Sequence, residues 1–350
     1  MAQIDKPNLH FNTILYTGDG NSTKALTGVG FQPDWVWIKN RSDGHWHNIT
    51  DAVRGTAKTL VSNSNTTEIS NATSGYVSAF GTDGFTVTGG SSNMEEVNTS
   101  SDNYVAWNWK AGTGQGSSNT DGSLNTTYTS VNTTAGFSIS KYTGTAGVAT
   151  IGHGLGVAPK MIITKRISGG NEDWGIYHEG IGATKYLKLN NEDAVGTSSG
   201  VWNDTAPTNQ VFSVGSSSLA NGSGTYVAYC FAEKKGYSKF GSYTGNGSSS
   251  GPFIYTGFKP AFFLMKETTD SSTNWIMYDS KRNTSNATNK YLKPNSSVVE
   301  ATGLSFDFLS NGIKCNNSNA GINASGQNYI YMVFAENPIV GSNNVPATAR

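Results

Sequence analysis

The sequence predicts an all-β protein made of three tandem antiparallel β-sandwiches. Composition is the first reason. Of 350 residues, Ser, Thr and Asn number 116 and Gly 42. These residues favour turns and short strands and weaken helices. The 11% aromatic content is too high for a disordered chain. The apolar runs are the second reason. Gly84-Phe85-Thr86-Val87-Thr88 and Tyr226-Val227-Ala228-Tyr229-Cys230-Phe231 are β-branched and aromatic, bounded by Gly, Ser and Asn. No window has a convincing 3.6-residue apolar period.

The third reason is a threefold repeat. Tyr16-Thr17-Gly18, Tyr142-Thr143-Gly144 and Tyr243-Thr244-Gly245 each open a unit. Seventeen residues after each tyrosine stands a proline, at Pro33, Pro159 and Pro260, and six further on a lysine, at Lys39, Lys165 and Lys266. Between them lie Trp35-Val36-Trp37-Ile38, Met161-Ile162-Ile163 and Phe262-Phe263-Leu264-Met265. These runs are continuous, as in strands covered on both faces. Trp46, Trp174 and Trp275 follow, and Tyr104, Tyr226 and Tyr329 begin the closing strands. A unit of about 100 residues can bury its own core. The expected organisation is an N-terminal arm at 1–10, sandwiches at 11–111, 137–236 and 237–337, a Gly/Ser/Thr/Asn linker at 112–136, and a C-terminal arm at 338–350.

Charge narrows the function. Lys plus Arg and Asp plus Glu are both 24, and charged residues make up only 14%. That balance gives no footprint for nucleic acid and no polybasic attraction to a membrane. No apolar stretch approaches the ~20 residues of a membrane helix. Met1 to Lys6 contains no secretory h-region, so synthesis in a host cytoplasm without a signal peptide is expected. Cys230 and Cys315, the two cysteines, make no disulfide framework and read as small buried hydrophobes.

Chemistry-bearing candidates are sparse. His45 and His47 share a strand face and could ligate zinc, but no Cys or third His lies near. Glu172-Asp173 and Glu192-Asp193 could serve a glycosidase, but neighbouring strand residues point to opposite faces and neither pair recurs between units. There is no Gly-x-Ser-x-Gly elbow and no phosphate loop ending in Gly-Lys-Ser/Thr. The expectation is a non-enzyme with no metal and no cofactor. The recurring aromatics Tyr16, Trp35, Trp37, Trp46, Tyr104, Tyr142, Trp174, Tyr226, Tyr243, Trp275 and Tyr329, with Pro33, Pro159 and Pro260, are expected in the repeat core. Trp202 in Gly200-Val201-Trp202-Asn203-Asp204 has no counterpart and is the candidate for an exposed glycan contact.

Longer patterns carry a resemblance. Tyr16 to Thr23, Gly28 to Lys39, Tyr104 to Gly112, Gly152 to Lys160 and Tyr226 to Gly236 resemble repeat domains in virion proteins of marine tailed phages of the cyanophage type, across about residues 6 to 340. The resemblance implies a lectin-like or jelly-roll β-sandwich and a virion structural protein with no defined ligand. The expected function is a non-enzymatic component of the particle surface, a head decoration or appendage. It would assemble with other virion proteins and with copies of itself. A tail fibre recognising a host surface glycan is the alternative, and a polysaccharide depolymerase comes behind it. At least one arm is expected to anchor the chain to a neighbouring subunit. In unit one, His45-Trp46-His47 is one residue longer than the matching segments, which leaves the register there open.

Overall fold

The computed structural model describes residues 4–338. Its elements are short antiparallel strands with two single helical turns, Ser199–Trp202 and Ala320–Asn323. Each unit has one inner sheet with the same strand order. In unit one the order is Phe11–Thr17, Asn103–Trp109, Trp35–Asn40, Asn48–Asp51. In unit three it is Ser238–Thr244, Asn328–Pro338, Phe258–Glu267, Ile276–Asp279. Unit two repeats it with Phe137–Gly144, Gly224–Phe231, Met161–Arg166 and Gly175–His178, and adds strands at both edges. A smaller sheet covers the outer face of each, for example Thr23–Thr27, Gly84–Thr88 and Tyr76–Gly81 in unit one.

The repeated tyrosines explain the repeated spacing. Tyr16 pairs with Tyr104, Tyr142 with Tyr226 and Tyr243 with Tyr329 across adjacent strands. Their rings stack at 4.9, 5.5 and 4.7 Å. Each phenol then donates to a carbonyl of the loop preceding the closing strand: Tyr16 to Val97, Tyr142 to Ala220 and Tyr243 to Ile322. That loop presses on the glycine of each Tyr-Thr-Gly. A Cβ on Gly18, Gly144 or Gly245 would lie 1.9, 2.2 or 2.2 Å from a carbonyl oxygen of that loop, so only glycine fits.

Alternation along the third inner strand divides the apolar side chains between two cores. Val36 and Ile38 face the interior of their own sandwich, with Phe85 and Ala106. Ile162 and Phe263 do the same in units two and three. Trp35 and Trp37, Met161 and Ile163, and Phe262 and Leu264 face the other way. There the three inner sheets meet in one further core that draws side chains from every unit. Trp35 stacks on Tyr229 at 4.7 Å, Trp109 meets Phe334 edge-on at 5.8 Å, and Phe231 meets Phe334 at 6.1 Å, so each pair of units is in direct aromatic contact. The apolar runs are continuous because both faces of these strands are buried.

The segment 112–136 has no core of its own. The buried Asp34 carboxylate of unit one accepts from the backbone N–H groups of Ala111, Thr113 and Gly114 at 2.8 to 3.0 Å. Further on, Tyr128–Asn132 pairs with Phe137–Gly144 and widens the inner sheet of unit two. Residues 4–10 lie back on the chain's own core. Ile4 is buried in the central core of its own chain, Pro7 is buried, and Pro7–Leu9 forms a 3-10 turn against the end strands. An apolar side chain at Ile4 gains more by entering that core than by staying exposed. Of the C-terminal arm, Pro338 ends the last strand, and 339–350 lie outside the described residues.

A shared core couples the units. Trp35→Ala should cost about 3–5 kcal/mol, and calorimetric unfolding of the full chain should remain one cooperative transition. Separate transitions for the units would contradict that coupling.

Candidate functional site: the seams between units

The best-defined polar constellations lie where units meet, and each occurs three times. The aromatic residue that precedes the fourth inner strand reaches into the preceding unit, unit one reaching round to unit three. Trp174 Nε1 donates to Val61 O at 2.9 Å, Trp275 Nε1 donates to Lys188 O at 2.8 Å, and His47 Nε2 lies 3.0 Å from Lys293 O. Trp37 Nε1–H can only donate, and it meets His47 Nδ1 at 2.8 Å. His47 is therefore neutral, with its proton on Nε2. A second set links backbones. Glu68 N–H reaches Ile167 O, Val195 N–H reaches Thr268 O and Glu300 N–H reaches Arg41 O.

A third set uses the last residue of the fourth strand, at Asp51, His178 and Asp279. Tyr229 OH donates to Asp51 Oδ2 at 2.7 Å, and Trp107 Nε1 donates to Asp279 Oδ2 at 3.0 Å. His178 Nε2 lies 3.0 Å from Tyr331 O, while its Nδ1 accepts from Gly180 N–H. In each set unit one meets unit two, two meets three, and three meets one. Successive unlike faces that return to the start form a closed ring. The chain is thus three similar units closed on themselves in an approximately threefold arrangement.

Units one and three brace this position with charge. Asp51 binds Arg54, and Arg54 reaches Glu68. Asp279 binds Arg282, which with Arg41 grips Glu300 at 3.1 and 2.9 Å. Unit two has His178, Ile181 and Val195 at the corresponding places, and Ile181 and Val195 pack against the central core. The chain therefore holds a charged and an apolar solution to the same packing problem. A buried ion triad and a well-packed apolar set can be close in stability, whereas removing one partner leaves an uncompensated charge.

Lys39, Lys165 and Lys266 are also buried. Each ammonium donates to the carbonyl of the following residue, Asn40, Arg166 or Glu267, and to the loop beyond it, at Asp43, Glu172 or Thr273. Lys165 also donates to Asn65 O of unit one. Burial pushes all three down to about 8. The unfolded chain binds more protons between about 8 and the usual ~10.4, so these groups add stability as pH rises through that window.

Several expected sites lie elsewhere. Trp202 is 1% exposed and meets Tyr177 edge-on at 5.9 Å. The turn Ser199–Trp202, capped by Ser198, turns the indole into the core of unit two, so it is no surface contact. Trp46 is 43% exposed, and His47 takes the place that Trp174 and Trp275 hold in their units. The expected longer segment in unit one is corrected: nine positions separate Lys39 from Asn48, against ten from Lys165 to Gly175 and ten from Lys266 to Ile276, so this segment is one residue shorter and His47 falls at the shared place. Tyr16 is partly buried. Pro33, Trp35, Trp37, Tyr104, Tyr142, Pro159, Trp174, Tyr226, Tyr243, Pro260, Trp275 and Tyr329 are buried. His45 faces Asp43 and Glu95 at the surface, and among the described residues no group of three or more His, Cys, Asp and Glu is arranged to hold a metal. Asp173 and Asp193 both bind Lys188, at 3.0 and 3.2 Å. Cys230 and Cys315 are free and buried. Among the described residues no helix is long and apolar enough to cross a membrane.

These features define an all-β protein whose three similar units close on one core. The chain belongs to the family described as Domain of unknown function (DUF7483), which matches residues 6–338 and so spans all three units. No curated protein matches it.

The seams should be sensitive to acid. Burial holds His178 down at about 4, against ~6.5 for an exposed imidazole. The unfolded chain takes the proton first as pH falls. The stability contribution is therefore complete above about pH 6.5 and is lost toward pH 4. The urea midpoint should drop between pH 7 and 5, and the drop should be smaller in His178→Asn. Separately, Asp279→Ala should lower stability by about 3–5 kcal/mol in urea titrations at pH 7, because it removes one of the two carboxylates on the buried Arg282 and the acceptor of Trp107 Nε1.

Proposed function

We propose that the protein is a non-enzymatic structural component of a tailed-phage particle, displayed on its surface as a head decoration or short appendage. One observation carries the reading. Buried charged groups serve the structure rather than facing a cleft: Asp51 with Arg54 and Asp279 with Arg282 stand at the seams, Lys165 reaches across to Asn65, and Lys39 and Lys266 fasten loops of their own units. Such a network fixes one arrangement of the units and makes a rigid block. The likeness of the Tyr16 to Lys39, Gly152 to Lys160 and Tyr226 to Gly236 patterns to phage virion repeats supplies the setting. In that setting the partners are other virion proteins and further copies of the chain.

The test is direct. Purified particles of the phage that encodes the chain should contain it by mass spectrometry, and gold-labelled antibody should mark intact particles. Its absence from purified particles, with the protein present only in the infected-cell lysate, would overturn the reading.

A further inference from the structure

Units two and three share the segments Lys185-Tyr186-Leu187-Lys188-Leu189-Asn190 and Lys290-Tyr291-Leu292-Lys293-Pro294-Asn295, of which unit one keeps Lys58, Leu60 and Asn63 but neither the tyrosine nor the second lysine. Its scaffold is the same in both. Leu187 and Leu292 enter the central core. Asn190 accepts from Trp174 N–H and donates to Asp173, while Asn295 accepts from Trp275 N–H and donates to Asn274. The outward side chains differ in what they meet. In unit two Lys188 binds the carboxylates of Asp173 and Asp193, and the Tyr186 ring lies over Gly196. In unit three Asn274 replaces the carboxylate of Asp173. Among the described residues Lys293 Nζ and Tyr291 OH then have no partner.

Both residues line an open cleft of about 350 Å³ with Asp270, Asn274, Asn319 and the apolar Leu304. Asp270 Oδ1 accepts from the N–H and hydroxyl of Ser272, and these bonds hold its carboxyl below the ordinary range. Its Oδ2 has no partner among the described residues, and neither do the Nδ2 atoms of Asn274 and Asn319. The cleft therefore offers one unpaired ammonium, three further donors, a carboxylate acceptor and an aromatic edge. Small-ligand sites are clefts of comparable size with a few convergent polar groups.

We propose that this cleft binds a carboxylate-bearing sugar, a uronic acid residue of a surface polysaccharide. The sugar carboxylate takes the place at Lys293 that Asp173 takes at Lys188. Its hydroxyls meet Asp270, Tyr291 and the two amides. The site does not depend on where the protein resides, so its test and the particle test fail separately.

Calorimetric titration of the full chain with methyl glucuronide, methyl glucoside and acetate decides the matter. The glucuronide should saturate one site, the glucoside should bind at least about tenfold more weakly, and acetate should not saturate over the same range. Asn274→Asp rebuilds the unit-two pair at Lys293 and should weaken glucuronide binding about tenfold or more, as should Lys293→Gln. The thermal midpoint of Asn274→Asp should not fall, which separates lost binding from lost folding. Absence of glucuronide binding, equal binding of the glucoside, saturation by acetate alone, or undiminished binding by both variants would overturn the proposal.

Discussion

The interlocking of three inner sheets around one aromatic core is the constraint on which the rest of the structure depends. Trp35, Trp109, Tyr229, Phe231, Phe262 and Phe334 come from all three units and are buried together. A buried indole N–H or phenol O–H is costly without a polar partner, and among the described residues the Nε1 atoms of Trp35 and Trp109 have none. Trp174, Trp275, Trp107 and Tyr229 find that partner in an adjacent unit. The polar seams are thus a consequence of filling the core with aromatic side chains that carry donors.

The ring is similar in its parts without being identical. Where units one and three use Asp, Arg and Glu, unit two uses His, Ile and Val. Where units two and three use tryptophan at the seam, unit one uses His47. Each substitution preserves either the hydrogen bond or the packing, and the fold tolerates both. The units have diverged most where the architecture does not need them to agree. The outer ends of the Lys-Tyr-Leu-Lys segments are such a place: one unit closes the surface with ion pairs and another leaves a polar cleft.

Much of the fold was legible in the sequence because its main devices act at fixed spacing. The tyrosine pairs, the glycine under the returning loop and the buried lysine recur at the same intervals, and each has one local physical reason. The continuous apolar runs announced strands covered on both faces. The partner on the second face could not be read, because residues that meet across the seams are about 70 to 260 positions apart and change identity from unit to unit. Trp46 does not take the seam position because the segment after Lys39 is one residue shorter than its counterparts, and a one-residue shift exchanges the faces of a strand, which brings His47 there instead. Trp202 was misplaced because a single capped turn, Ser199–Trp202, reverses its direction. The cleft of unit three left a signal in the sequence: the repeated Lys-Tyr-Leu-Lys-x-Asn with Asp173 in one copy and Asn274 in the other. Its meaning depends on which side chains face Lys188 and Lys293, and spacing alone does not show that.

Closure of the ring predicts that no seam opens by itself. The backbone amides of Glu68, Val195 and Glu300 each donate across a different seam. Native-state hydrogen exchange reports the free energy at which each is released to solvent. All three should exchange with one common opening free energy, equal to that of global unfolding and falling with urea at the same slope. If one of them exchanges at clearly lower free energy and with a shallower slope while the others remain protected, that seam opens alone, and the protein is a chain of neighbours rather than a closed ring.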